Sequence, residues 1–256
     1  MRLEAAGKTH VGMKRSHNED NLLLLPEENL FCVADGMGGH SSGEIASKIA
    51  VSEVQDFFRY TARDREATWP FKMDKGRDYE ENRLATAVKV ANSRIFEASQ
   101  AEAKYRGMGT TIVGCYFLEG GTLIGHVGDS RVYRYVAADQ KLVQLTEDHS
   151  LLNDYIKAKK LTPEEIENFP HKNVIVRALG MKDSVAVDLS RIEAQENDLF
   201  LLCSDGLSGM VPDAQMEEII GAEPDLEACT QKLIDAANAA GGNDNVTCIL
   251  VRWHAQ

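Results

Sequence analysis

Five aspartates fall where strand-like runs begin or end. Asp35-Gly36 closes the apolar run Leu30 to Ala34, and Asp205-Gly206 follows Leu199 to Cys203. Asp244 comes after Gly241-Gly242-Asn243 and before Val246 to Val251. Asp20 precedes Leu22 to Leu25, and Asp129 follows a run ending near Val127. Singly, each Asp-Gly is an ordinary turn, because glycine takes positive φ and aspartate bonds its own backbone. As a set they mean more: acids brought to one cleft repel strongly unless cations fill the space between them.

The donor type selects the cation. All five are hard oxygen ligands, and no Cys or His grouping has zinc spacing, which fits magnesium, manganese or calcium. Two such ions sharing a carboxylate can activate a water near neutral pH and clamp a phosphoryl oxygen. Arg15 lies in Gly12-Met13-Lys14-Arg15-Ser16-His17-Asn18-Glu19-Asp20. A guanidinium matches phosphate geometry with two parallel bonds, so its place beside acidic ligands points to a phosphate substrate. The competing role for Arg15 is a surface ion pair with Glu19 or Asp20.

The elements that must position these groups read as follows. Strands are expected at Leu22 to Leu25, Leu30 to Ala34, Thr110 to Leu118, Thr122 to Val127, Arg131 to Val136, Val185 to Leu189, Leu199 to Cys203 and Val246 to Val251. Glu119-Gly120-Gly121 makes a hairpin of the third and fourth. Ile45 to Phe58 and Leu84 to Ala98 carry apolar residues three and four apart, as helices do. Asp225 to Ala239 is a third helix, stopped by Gly241-Gly242. Arg59 to Arg83 reads as a loop. The polar stretch Glu147 to Asn173 reads as a surface excursion, with Thr162-Pro163-Glu164-Glu165 as a helix start. Strands and helices do not alternate, so the expected fold is α+β, with two mostly antiparallel sheets flanked by helices.

Eight motifs in order resemble the metal-dependent protein phosphatases of the type-2C (PPM) family. They are Arg15 to Asp20, Val33 to His40, Gly107 to Thr111, Val127 to Arg131, Thr146 to Ser150, Arg177 to Gly180, Leu202 to Leu207 and Gly241 to Thr247. They span nearly the whole chain, and Met37-Gly38-Gly39 is similar to the compact bacterial branch. The resemblance implies one domain over 1–256, a central β-sandwich in an α/β/β/α arrangement, and a flap subdomain over 147–173. It implies that Asp35 bridges two Mn2+ or Mg2+ ions, that the Gly36 carbonyl binds one, and that Asp205 and Asp244 complete the other site. Glu19 and Asp20 would act largely through waters, Asp129 with Asp205 would hold a third ion, and Arg15 would hold the substrate phosphate. The implied reaction is in-line attack of activated water on phosphoserine or phosphothreonine in proteins, without a phosphoenzyme. Many eukaryotic relatives carry a His directly after Asp-Gly to protonate the leaving group. Here Met37 stands there, leaving His40 or a water for that role.

Other readings weigh less. Gly39-His40-Ser41-Ser42-Gly43 matches a serine-hydrolase elbow with Ser41 as nucleophile, but Asp35-Gly36-Met37-Gly38 separates it from its strand. A catalytically inactive binding module would have lost a bridging aspartate or Arg15, and all are present. Net charge −12 argues against nucleic acid, a metal-dependent nuclease included, and against anionic membranes. With 43% apolar and 27% charged residues the chain can bury a core. No run approaches the roughly 18 apolar residues of a span, and Met1-Arg2-Leu3-Glu4 does not open a secretory signal. Five cysteines without a C-x-x-C pair read as buried thiols in a reducing cytosol, hence a cytoplasmic protein. The expected partners are phosphorylated proteins and the serine/threonine kinases that make them. The expected state is a monomer.

Overall fold

The computed structural model describes residues 1–38, 42–64, 66–119, 121–159, 161–171 and 174–255. Eleven strands and seven α-helices occur among them. One sheet holds, in spatial order, β1 (Arg2–His10), β11 (Val246–His254), β10 (Leu199–Cys203), β7 (Arg131–Val136) and β8 (Lys141–Gln144). The other holds β2 (Asp20–Leu25), β3 (Leu30–Met37), β5 (Ile112–Leu118), β6 (Gly121–Val127) and β9 (Asp188–Ile192), with the short β4 (Gly109–Thr110) paired to the end of β3. All named pairings are antiparallel.

Alternation along the strands builds four layers. In β3, Leu30, Cys32 and Ala34 pack with α1 (Ser42–Arg63) and α2 (Tyr79–Ala101), while Phe31 and Val33 face the opposite sheet. In β10, Leu201 and Cys203 pack with α6 (Asp213–Ala222) and α7 (Leu226–Ala239), while Phe200 and Leu202 turn inward. Both faces of each sheet are therefore covered, which is why these strands are continuous apolar runs. Phe117 meets Phe31 and Phe200 edge to face at 5.8 and 5.2 Å in the inter-sheet layer. The five cysteines are free and buried.

Several sequence expectations move. Thr110 to Leu118 is broken after Thr110 into β4 and β5. The strand expected at Val185 to Leu189 lies at Asp188–Ile192, where it pairs with β6 (Asp188 opposite His126). Helices α1 and α2 invade both ends of the expected loop from Arg59 to Arg83, and Asp78 caps α2 with a full capping box. Strands β1 and β8 were not expected, nor were the short α5 (Asp205–Ser208) and α6. The excursion after Glu147 holds α3 (Leu151–Lys159) and α4 (Pro163–Glu167), the latter capped by Thr162 and Glu165 as read from sequence. No described helix is long and apolar enough to cross a membrane.

Candidate metal and phosphate site

All five aspartates gather at one end of the sandwich. Asp20 opens β2 and stands directly opposite Asp35 of β3. Like charges so placed are destabilising by themselves. Asp129 follows β6 from the same sheet, whereas Asp205 and Asp244 come from the second sheet, after β10 and before β11. Close backbone approach shapes the floor. A Cβ on Gly36 would lie 2.2 Å from the Gly43 carbonyl oxygen, and one on Gly206 only 1.9 Å from that of Asn245. Both positions accept glycine alone.

Neighbouring hydroxyls and amides hold the acids. Ser204 Oγ donates to Asp20 Oδ2 at 2.8 Å and accepts the Thr247 N–H at 3.0 Å, tying the two sheets together. The Asp35 N–H donates to Thr111 Oγ1, and its carbonyl accepts from the Thr111 N–H and the Thr110 hydroxyl, each at 2.8 Å. Asn245 secures the Arg15 loop: its Nδ2 donates to the Val11 and His17 carbonyls, and its Oδ1 accepts the Glu19 N–H. The Met13 N–H adds a bond to the Gly242 carbonyl. Arg15 Nη2 reaches Asp244 Oδ2 at 2.7 Å, while 53% of its side chain stays exposed. Of the two partners foreseen for a structural Arg15, neither Glu19 nor Asp20 forms the ion pair.

The electrostatics demand positive charge. Burial, then repulsion from Asp20, Asp205, Asp129 and Asp244, holds Asp35 well above the usual carboxylate range. Asp20 is pushed up to about 7, first by burial and then by Asp205 and Asp244, against relief from Thr247 and Ser204. Asp129 is likewise pushed up to about 7, by burial, Asp205 and Asp148. Burial followed by Asp244 raises Asp205, and burial raises Glu19. Asp129 is buried, and its Oδ1 finds no hydrogen-bond donor among the described residues. Hard oxygen donors with raised affinity for positive charge, one of them orphaned, fit divalent cations. Arg15 alone cannot compensate them all, because its guanidinium is engaged by Asp244.

The remaining sequence candidates are placed unequally. His40, the candidate proton donor, and Ser41 of the elbow pattern lie outside the described residues. Antiparallel order also removes the parallel strand–helix frame that such an elbow requires. His126 is buried in β6 and donates Nε2–H to the Glu147 carbonyl at 2.9 Å. His126, His149 and Asp188 lie close enough together to form a metal triad by distance alone. However, His149 Nδ1 accepts the Gly128 N–H at 3.0 Å, so its Nε2 carries the proton and donates to Asp188 at 3.1 Å. Burial holds His149 below its usual range, in keeping with a neutral ring. Both rings are committed to hydrogen bonds, and the cluster is a clasp at the root of the excursion.

Sequence reasoning gave no role to Ser204, Thr110, Thr111, Asn245, or the Arg131–Asp148 pair, bidentate at 2.9 and 2.7 Å. All sit inside the motifs, and that membership was the one signal they carried.

The protein phosphatase 2C family matches residues 6–251. The serine/threonine phosphatase stp of Listeria monocytogenes serotype 4b (strain F2365) is 36% identical, over 97% of this chain and 95% of its own. The crystal structure of the Mycobacterium tuberculosis serine/threonine phosphatase PstP/Ppp superposes with a TM-score of 0.85 at 32% identity, covering 99% of both chains. A structure of the PstP catalytic domain in complex with two manganese ions gives 0.81 at 31% identity, again over 99% of both.

Proposed function

The chain belongs to the protein phosphatase 2C family, and from that premise we propose that it removes phosphate from phosphoserine and phosphothreonine in proteins, using Mn2+ or Mg2+. The observation that carries this reading is the convergence of five aspartates from two sheets beside a partly exposed Arg15. Asp35, the Gly36 carbonyl, Asp205 and Asp244 would hold two ions, with Asp20 and Glu19 acting around them. Asp129 with Asp205 would hold a third. Bound cations supply Lewis-acid charge and an activated water.

The chain's own groups do the rest. Arg15 orients the phosphate and stabilises its equatorial oxygens. Asn245 and Gly242 fix the backbone that presents it. Ser204 and Thr111 keep the acids of the two sheets in register. His40 is our candidate to protonate the leaving alkoxide. We read 1–256 as one catalytic domain, 147–173 as its flap, and the protein as a cytoplasmic monomer opposing serine/threonine kinases.

The test is hydrolysis of a phosphothreonine peptide by wild type and Asp205→Ala, with manganese, with magnesium and with excess EDTA. Cation-dependent turnover that collapses in the variant is expected. Turnover that survives both EDTA and the substitution would sink the reading.

A further inference from the structure

Seven large apolar side chains among the described residues stand exposed, and four of them, Met13, Val174, Val176 and Met181, lie on segments bordering the aspartate cluster. Scattered exposed apolar residues are common, but a concentration rimmed by polar groups marks an interaction surface. Met13 is 63% exposed, and its N–H bonds the Gly242 carbonyl, two residues before Asp244. Val174 and Val176 pair across the root of the excursion with Leu151 and His149. Met181 packs on Gly109, which stands opposite Met37, two residues past Asp35.

Beside Asp205 and Asp244 a cavity of about 370 Å³ opens between Ser150 and Leu152, which flank the Leu151 bonded to Val174, and Asn243 and Asp244, which follow the Gly242 bonded to Met13; Leu152 and Met210 are the apolar residues in its walls. That is room for many waters, and more than a phosphate alone needs. Methionines suit such a surface, because an unbranched thioether adapts to differently shaped partners.

We infer that this apolar rim grips the polypeptide on either side of the phosphorylated residue, so that the enzyme favours phosphosites flanked by apolar side chains. The inference rests on the phosphatase reading above and deepens it. Continuity of the cavity with Asp205 and Asp244 identifies the occupant: a chain whose phosphate sits at the centre must lay its neighbouring residues here. A lipid surface fits poorly, since the net charge of −12 repels anionic headgroups.

Two phosphothreonine peptides test it, identical except for leucine or serine at the positions adjoining the phosphothreonine. With manganese, kcat/KM is expected to favour the leucine peptide by about tenfold, mostly through KM. Met13→Ser and Val176→Ser should each shrink that preference about threefold. The ratio does not depend on how much of a variant is folded. A wild-type ratio near one, or a ratio unchanged in both variants, overturns the inference while leaving the phosphatase reading intact. Hydrolysis of p-nitrophenyl phosphate with neither peptide cleaved would overturn the protein-phosphatase reading, and the inference with it.

Discussion

Replacing Asp129 with asparagine should stabilise the metal-free protein at alkaline pH while weakening its hold on cations. The carboxylate is 8% exposed, its Oδ1 lacks a donor, and burial with Asp205 and Asp148 pushes its pKa from 3.8 to about 7. The folded state therefore binds this proton more tightly than the unfolded state. Stability falls as pH rises from about 4, and the full cost is reached above about 7. Two-state linkage puts that cost at about 4 kcal/mol at pH 8 and about 2 kcal/mol at pH 5.

Asparagine removes the charge but brings its own desolvation cost of about 1–3 kcal/mol, which is the same at both pH values. Subtracting the pH 5 effect from the pH 8 effect cancels that cost and leaves about 2 kcal/mol in favour of the variant. Urea unfolding of both proteins in EDTA at pH 5 and pH 8 measures it. Equal effects at the two pH values, or a larger loss of stability at pH 8, would refute the claim that the buried carboxylate is held charged against its environment.

Two further substitutions probe the scaffold. Ser204→Ala leaves the buried Thr247 N–H unpaired and strips Asp20 of a 2.8 Å bond, so a loss of about 2–4 kcal/mol is expected by urea unfolding, with weaker manganese binding by calorimetry. A loss below about 0.5 kcal/mol would show that the inter-sheet tie is dispensable. Gly206→Ala would set a methyl 1.9 Å from the Asn245 carbonyl, forcing apart the segments that carry Asp205 and Asp244. We expect at least about 2 kcal/mol of destabilisation and loss of cation-dependent turnover, whereas unchanged manganese affinity would mean that the backbone yields elsewhere.

The sequence disclosed the strands buried on both faces, because Leu30 to Ala34 and Leu199 to Cys203 have no polar residue to blur them. It concealed β1 and β8. Arg2–His10 mixes charged and small residues, buries Ala6 alone, and is strand because β11 offers it a complete ladder. Lys141–Gln144 is mostly exposed and owes its form to pairing with β7. The placement of β9 is likewise decided by its partner β6, information absent from its own residues.

At the site, the aspartates were legible because each sits at a change from apolar run to turn. The side chains that hold them were not. Ser204 meets Asp20 across 184 positions of chain, and Asn245 meets His17 across 228, so neither contact has a local signature.

Because the acids are contributed by two sheets, the layer between those sheets behaves as a pair of callipers. Asp20 and Asp35 ride on one jaw, Asp205 and Asp244 on the other, and the spacing of the jaws is set by Phe31, Phe117 and Phe200. Packed aromatic rings scarcely compress. The distance between charges that a cation experiences is thereby written in hydrocarbon, some way from any oxygen that touches it. A change of ring size in that layer would retune the site without altering a single ligand.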